Sequence, residues 1–163
     1  LTIVALVFAV GITSAQNYMV VNSEKVFKSL ADYNKALEQI ESLSESYQKQ
    51  VDTKFAEVEN LYNAYMSRKS SLSAGERQQW EQTILAKESE ATTLQETLFG
   101  AEGELMKRRM ELIQPIQKRV FDTLESFAKQ YGYDLVIDIA ANPTVLYYSP
   151  KVDFTDKIIE VLK

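Results

Sequence analysis

From Asp32 to about Leu72 the chain has neither Gly nor Pro, and its apolar residues recur at intervals of three and four. With Leu37 as heptad position a, the a/d seam reads Leu37, Ile40, Ser44, Tyr47, Val51, Lys54, Val58, Leu61, Tyr65, Arg68 and Leu72. All but Ser44, Lys54 and Arg68 are apolar, a repeat that suits the seam between two helices and not the alternation of a strand. At about 1.5 Å per residue such a helix would be roughly 60 Å long. It has no core of its own, so it needs a partner.

The partner follows in sequence. Ser70 to Gly75 interrupts the pattern, and Ser73 with Glu76 has the spacing of a capping box. A second helix is expected from about Ala74 to Tyr131, with Trp80, Ile84, Lys87, Ala91, Leu94, Leu98, Ala101, Leu105, Arg108 and Leu112 on its seam. A short connection between two long helices makes them antiparallel. Gly100 and Gly103 fall inside the returning leg, where each costs about 1 kcal/mol relative to Ala. They either let that leg bend or let the two legs approach closely. Folding back about residue 73 brings Pro115 level with Asp32, and a proline kink there would mark where the hairpin meets a body.

The body is written at the two ends of the chain. Tyr18 to Asn22 reads as a strand, and Asn22 and Ser23 offer an N-cap for a short helical turn through Val26, Phe27 and Leu30. After Pro115 the apolar phase shifts to Ile116, Val120, Leu124, Phe127 and Tyr131, a face suited to packing on a sheet, and Gly132 is a natural stop. Leu135–Ile139 and Thr144–Tyr148 read as two more strands, with Tyr147 and Tyr148 in the strand core. An amphipathic helix from Phe154 to Leu162, capped by Asp153, closes the chain. Leu1 to Ala15 is uncharged and mostly apolar and ends in small residues, which reads as part of a cleaved secretory signal. A retained anchor and a buried strand are the alternatives; the run is shorter than the ~20 residues a spanning helix needs.

Composition narrows the function. Among 163 residues there is no Cys and no His, which removes disulfides, thiol catalysis, the Ser-His-Asp arrangement and the usual zinc ligands. No catalytic residue, cofactor or metal site is expected, and Asp134 with Asp138 reads as turn and edge chemistry rather than as a metal pair. A formal net charge of −5 argues against nucleic acid as a partner.

The first strand ending in Val21-Asn22, the Val26-Phe27 turn, the long hairpin, Tyr133–Asp138, the Tyr-containing Val145–Tyr148 and the closing Phe154–Leu162 helix together resemble the Skp/OmpH family of periplasmic chaperones. The last three segments are the most specific; the hairpin alone would match many proteins. The resemblance implies an α+β, mainly α fold: a helical-hairpin (coiled-coil) tentacle over 32–113 inserted in a strand-containing trimerisation body of 16–31 plus 114–163, after a partial signal at 1–15. It also implies a periplasmic homotrimer that holds unfolded outer-membrane proteins between its tentacles without ATP. Family members are often strongly basic, whereas this chain has a pI near 4.9. Apolar contact must therefore carry more of the binding here.

The heptad register points to where. In an antiparallel pair, the e and b positions of both legs share one flank, which here carries Phe55, Tyr62, Met66, Leu85, Phe99, Met106 and Ile113. An apolar flank beyond what the seam requires is a candidate client-binding surface, since Met and aromatics adapt to varied partners. Lys107, Arg108 and Arg109, with Lys118 and Arg119, form a basic cluster that either meets acidic lipid or cargo or is a solvated face offsetting Glu104 and Glu111. The competing reading is a structural coiled-coil envelope protein that bridges fixed partners with no chaperone activity.

Overall fold

The computed structural model describes residues 17–140 and 144–163; the expected signal segment lies outside them. The elements are β1 (Tyr18–Val21), α1 (Ser23–Lys28), α2 (Ala31–Arg68), α3 (Ala74–Phe99), α4 (Glu104–Tyr131), β2 (Leu135–Asp138), a 3-10 turn (Pro150–Val152) and α5 (Thr155–Leu162). The chain divides into two units, one ending at Ser29 and resuming at Val120–Lys163, the other Leu30–Arg119. The division falls beyond Pro115, which sits inside α4.

In the hairpin unit α2 runs for 38 residues without a break. It lies antiparallel to α3: Tyr65 stacks on Trp80 at 6.2 Å near the turn, and Tyr47 meets the edge of Phe99 at 6.3 Å farther down. The heptad seam is covered from Ile40 to Tyr65 on one leg and from Trp80 to Leu98 on the other, with Val51, Tyr65, Ala91 and Leu98 buried. Ser73 begins α3 with the expected capping box: its hydroxyl accepts from the Glu76 N–H while the Glu76 carboxylate accepts from the Ser73 N–H.

The second helix is not continuous. Gly100–Gly103 separates α3 from α4, and of the expected seam beyond it Leu105 and Leu112 are half-buried whereas Ala101 and Arg108 are exposed. At the base of α2, Ala36 is buried in place of Leu37. Helix propensity alone underestimated this break, because the backbone at both glycines has no room for a side chain.

The other unit is built on β1, whose Met19, Val20 and Val21 are buried. β2 pairs with it in parallel, Tyr18 opposite Leu135 and Val21 opposite Asp138. The far edge of β1 takes the chain end, with Phe154 donating its N–H to the Val20 carbonyl at 3.0 Å. Val120 and Phe127 of α4, Val26 and Ile158 are buried in the same unit, and Phe127, Tyr133 and Phe154 form an aromatic cluster. Gly132, at φ 71°, follows the end of α4.

Two expectations fail here. Residues 145–149 form no strand, so Tyr147 lies outside any strand core, 83% exposed beside the 95% exposed Leu146. Their composition is that of a strand, but among the described residues no edge hydrogen-bonds to them as a ladder. The closing helix starts at Thr155, and Phe154 occupies its N-cap without a side-chain bond; Asp153 instead accepts from the Thr155 N–H and hydroxyl.

Asp134 and Asp138 tie chain segments together. Asp134 accepts from the Asn17 N–H, and Asp138 from the Ser23 N–H and hydroxyl and the Ala140 N–H. Burial pushes the Asp138 carboxyl up, but these hydrogen bonds outweigh it and hold it below its ordinary 3.8. A depressed carboxylate stabilises the fold fully above its unfolded value and loses that contribution as pH falls through the folded one. Asp138→Asn should therefore cost about 1 kcal/mol at pH 7. Denaturant titrations of both proteins should converge as the pH is lowered below about 4.

Candidate functional site

A packed two-helix seam uses one stripe of each leg, and what remains apolar outside it is a surface. Phe55, Tyr62, Met66, Leu85 and Met106 all lie on it, from 38% exposed at Phe55 to 63% at Leu85. Phe99 and Ile113, assigned to the same flank, are half-buried instead, Phe99 because its ring packs against Tyr47. Met110, one turn on from Met106 and 46% exposed, belongs with the exposed set; its i+4 spacing was the signal that could have found it.

The structure brings three of these residues into one cleft. Tyr62, Met66 and Leu85 line a hollow of about 340 Å³ near the turn, with Tyr65, Lys69, Glu81 and Ile84. Its floor is fixed by the buried Tyr65, whose hydroxyl donates to the Glu81 carboxylate at 2.5 Å. That hydrogen bond raises the Tyr65 pKa, so the phenol stays protonated and keeps its donor. Lys69 holds its ammonium 5.3 Å from the Tyr65 ring centroid, at the rim. The cleft is thus apolar in its walls, rigid at its base and bordered by one cation. Seam residues such as Tyr65 contribute to it, which a division into seam and flank does not reveal.

The basic cluster is largely engaged with carboxylates. Lys107 pairs with Glu104 at 2.9 Å, Arg108 with Glu111 at 2.8 Å, and Arg119 reaches across to Asp32 at 2.8 Å. The first two are exposed i,i+3 pairs that support α4 locally. Arg109 and Lys118 are exposed on the same helix. Among the described residues no helix is long and apolar enough to cross a membrane.

A chain with a long helical hairpin and a small parallel strand pair has known counterparts. The family model for outer membrane protein (OmpH-like) matches residues 17–162, and the chain belongs to that family. It is 24% identical to the chaperone protein Skp of Photorhabdus laumondii over 160 residues, covering 98% of this chain and 93% of that one. The chaperone protein Skp of Yersinia enterocolitica is also 24% identical, over 149 residues. An OmpH-like outer membrane chaperone from Caulobacter crescentus CB15 superposes with a TM-score of 0.71 at 12% identity, covering 90% of this chain and 83% of that one, and shares its fold.

Seam and flank should respond differently to truncation. Val51→Ala removes a fully covered seam side chain and should destabilise the hairpin by about 2 kcal/mol. Tyr62→Ser should change it by less than about 0.5 kcal/mol. Thermal unfolding followed at the helical circular-dichroism band separates the two.

Proposed function

We propose that this protein is a periplasmic holdase that binds unfolded outer-membrane proteins without ATP and keeps them from aggregating. One observation carries the reading: the hairpin seam is already filled, yet Phe55, Tyr62, Met66 and Leu85 stay exposed along the same hairpin. A helical pair that needed only to be a spacer would gain solubility from polar residues there. The likeness to chaperones named Skp supports the same reading. The chain is acidic overall, with a net charge of −5, so contact with clients is apolar first. Such binding involves no covalent step, and release follows when the client finds a better burial for its own apolar surface.

The test is dilution of a denatured outer-membrane barrel into buffer containing the full chain, with light scattering as the readout. Wild type should suppress aggregation. The Tyr62→Ser/Met66→Ser/Leu85→Ser variant should need roughly a hundredfold more chaperone, since each lost contact removes on the order of 1 kcal/mol when buried and the three share one cleft. Its helicity should be unchanged. Equal suppression by both proteins would remove the cleft from the mechanism, and co-purification of one stoichiometric partner in place of many clients would favour a structural bridge.

The same reading includes a homotrimer closed through the body. Leu146 and Tyr147 are almost fully exposed outside any strand, and Leu135 of β2 is 55% exposed. A cleft of about 460 Å³ lined by Phe121, Leu124, Ala128, Leu135 and Val136 lies in the same unit. An unpaired strand edge beside exposed apolar side chains is a surface that self-association covers. Sedimentation should give three copies for wild type and a smaller species for Leu146→Ser/Tyr147→Ser; a monomeric wild type would overturn the assembly.

A further inference from the structure

We propose that Met66, Met106 and Met110 form an oxidation-sensitive set on the hairpin: a peroxide converts their thioethers to sulfoxides, which lowers the grip on apolar clients and leaves the fold intact. The effect on clients rests on the holdase reading; the chemistry does not.

The chain has four methionines and no Cys, so thioethers are its only sulfur. Their surroundings divide them. Met19 lies inside β1, opposite Val136 of β2, and is wholly buried. Met66, Met106 and Met110 are 48%, 42% and 46% exposed, and all three belong to the hairpin unit. Oxidation of a thioether follows access to its sulfur. The three hairpin methionines are therefore open to a small oxidant, while Met19 is shielded.

The exposed three are also the ones whose polarity matters. Met66 shares the hollow near the turn with Tyr62, Ile84 and Leu85, where it is part of an apolar wall. Met106 and Met110 are one turn apart on α4, so they share a face of that helix. Unbranched and polarisable, each suits clients of varied shape. A sulfoxide in the same place carries a strong acceptor oxygen. When a client covers it, that oxygen loses water, and an apolar client offers no donor in return. Contact that was favourable becomes unfavourable at three places on the hairpin.

The step balances with hydrogen peroxide as the oxidant. The sulfur lone pair attacks one peroxide oxygen, an S–O bond forms as the O–O bond breaks, and sulfur gives up two electrons. The displaced hydroxide takes the proton of the transferred oxygen and leaves as water. Reversal needs a two-electron reductant and is the reaction of methionine sulfoxide reductases. The modification is thus a switch that can be reset, and it touches no buried residue.

Timed exposure of the full chain to hydrogen peroxide is the test. The four methionines fall on four different tryptic peptides, so mass spectrometry reads each separately. Met66, Met106 and Met110 should gain oxygen at least about tenfold faster than Met19, with the helical circular-dichroism signal unchanged. The oxidised chain should be needed at about tenfold higher concentration to suppress aggregation of a denatured barrel. Treatment with reductases for both sulfoxide epimers should restore the original requirement. Met66→Leu/Met106→Leu/Met110→Leu removes the three sulfurs, so peroxide should not shift its requirement, whatever its own starting level. Oxidation of Met19 as fast as the others, undiminished holding by the sulfoxide form, or a peroxide effect that persists in the leucine variant overturns the switch. An untreated chain that holds no client overturns the holdase reading and the switch with it, while the order of oxidation is still read from the peptides.

Discussion

The closing of one apolar seam between α2 and α3 is the constraint on which the hairpin depends. A helix of 38 residues has no interior, and its stability in water comes from the stripe it buries against a neighbour. Val51 and Tyr65 on one leg and Ala91 and Leu98 on the other supply that stripe. Because the seam needs only the a and d positions, the remaining faces are released from folding duty. On this chain one of those faces stays apolar.

The contacts that join the legs change in kind along the hairpin. Near the turn, the Ser73–Glu76 capping box, the Tyr65–Trp80 stack and the Tyr65–Glu81 hydrogen bond hold the legs in one register. Toward the base the buried positions pass to Leu30, Ala36 and Ile116, and an exposed ion pair between Asp32 and Arg119 spans the legs there. Such a pair is weak in water and tolerates changes of geometry.

Much of this was legible in the chain. The heptad from Ile40 to Tyr65, its counterpart from Trp80 to Leu98, the capping box at Ser73 and the strand ending in Val21 follow from local spacing, and local spacing is what a sequence displays. Residues whose state depends on a distant or absent neighbour were less readable. Thr144–Tyr148 has strand composition, but a strand is defined by its ladder partner, and none of the described residues provides one. Gly100 and Gly103 could be seen as weak points, yet whether they bend or break the helix depends on backbone clashes that spacing does not encode. The flank assignment erred at Phe99 for a similar reason: its ring found Tyr47 across the seam.

The parallel pairing of β1 with β2 has a consequence for the order of folding. Asn17 and Asp134 hydrogen-bond across 117 positions of sequence, and β1 is the first of the described elements. Contacts of such high sequence separation form late, since the loop entropy is lost before the pairing rewards it. As the chain folds, β1 must wait, unpaired and apolar, while the local contacts of the helical arm assemble in microseconds to milliseconds. A member of a chaperone family would thus itself pass through a stage with one greasy strand unsheltered.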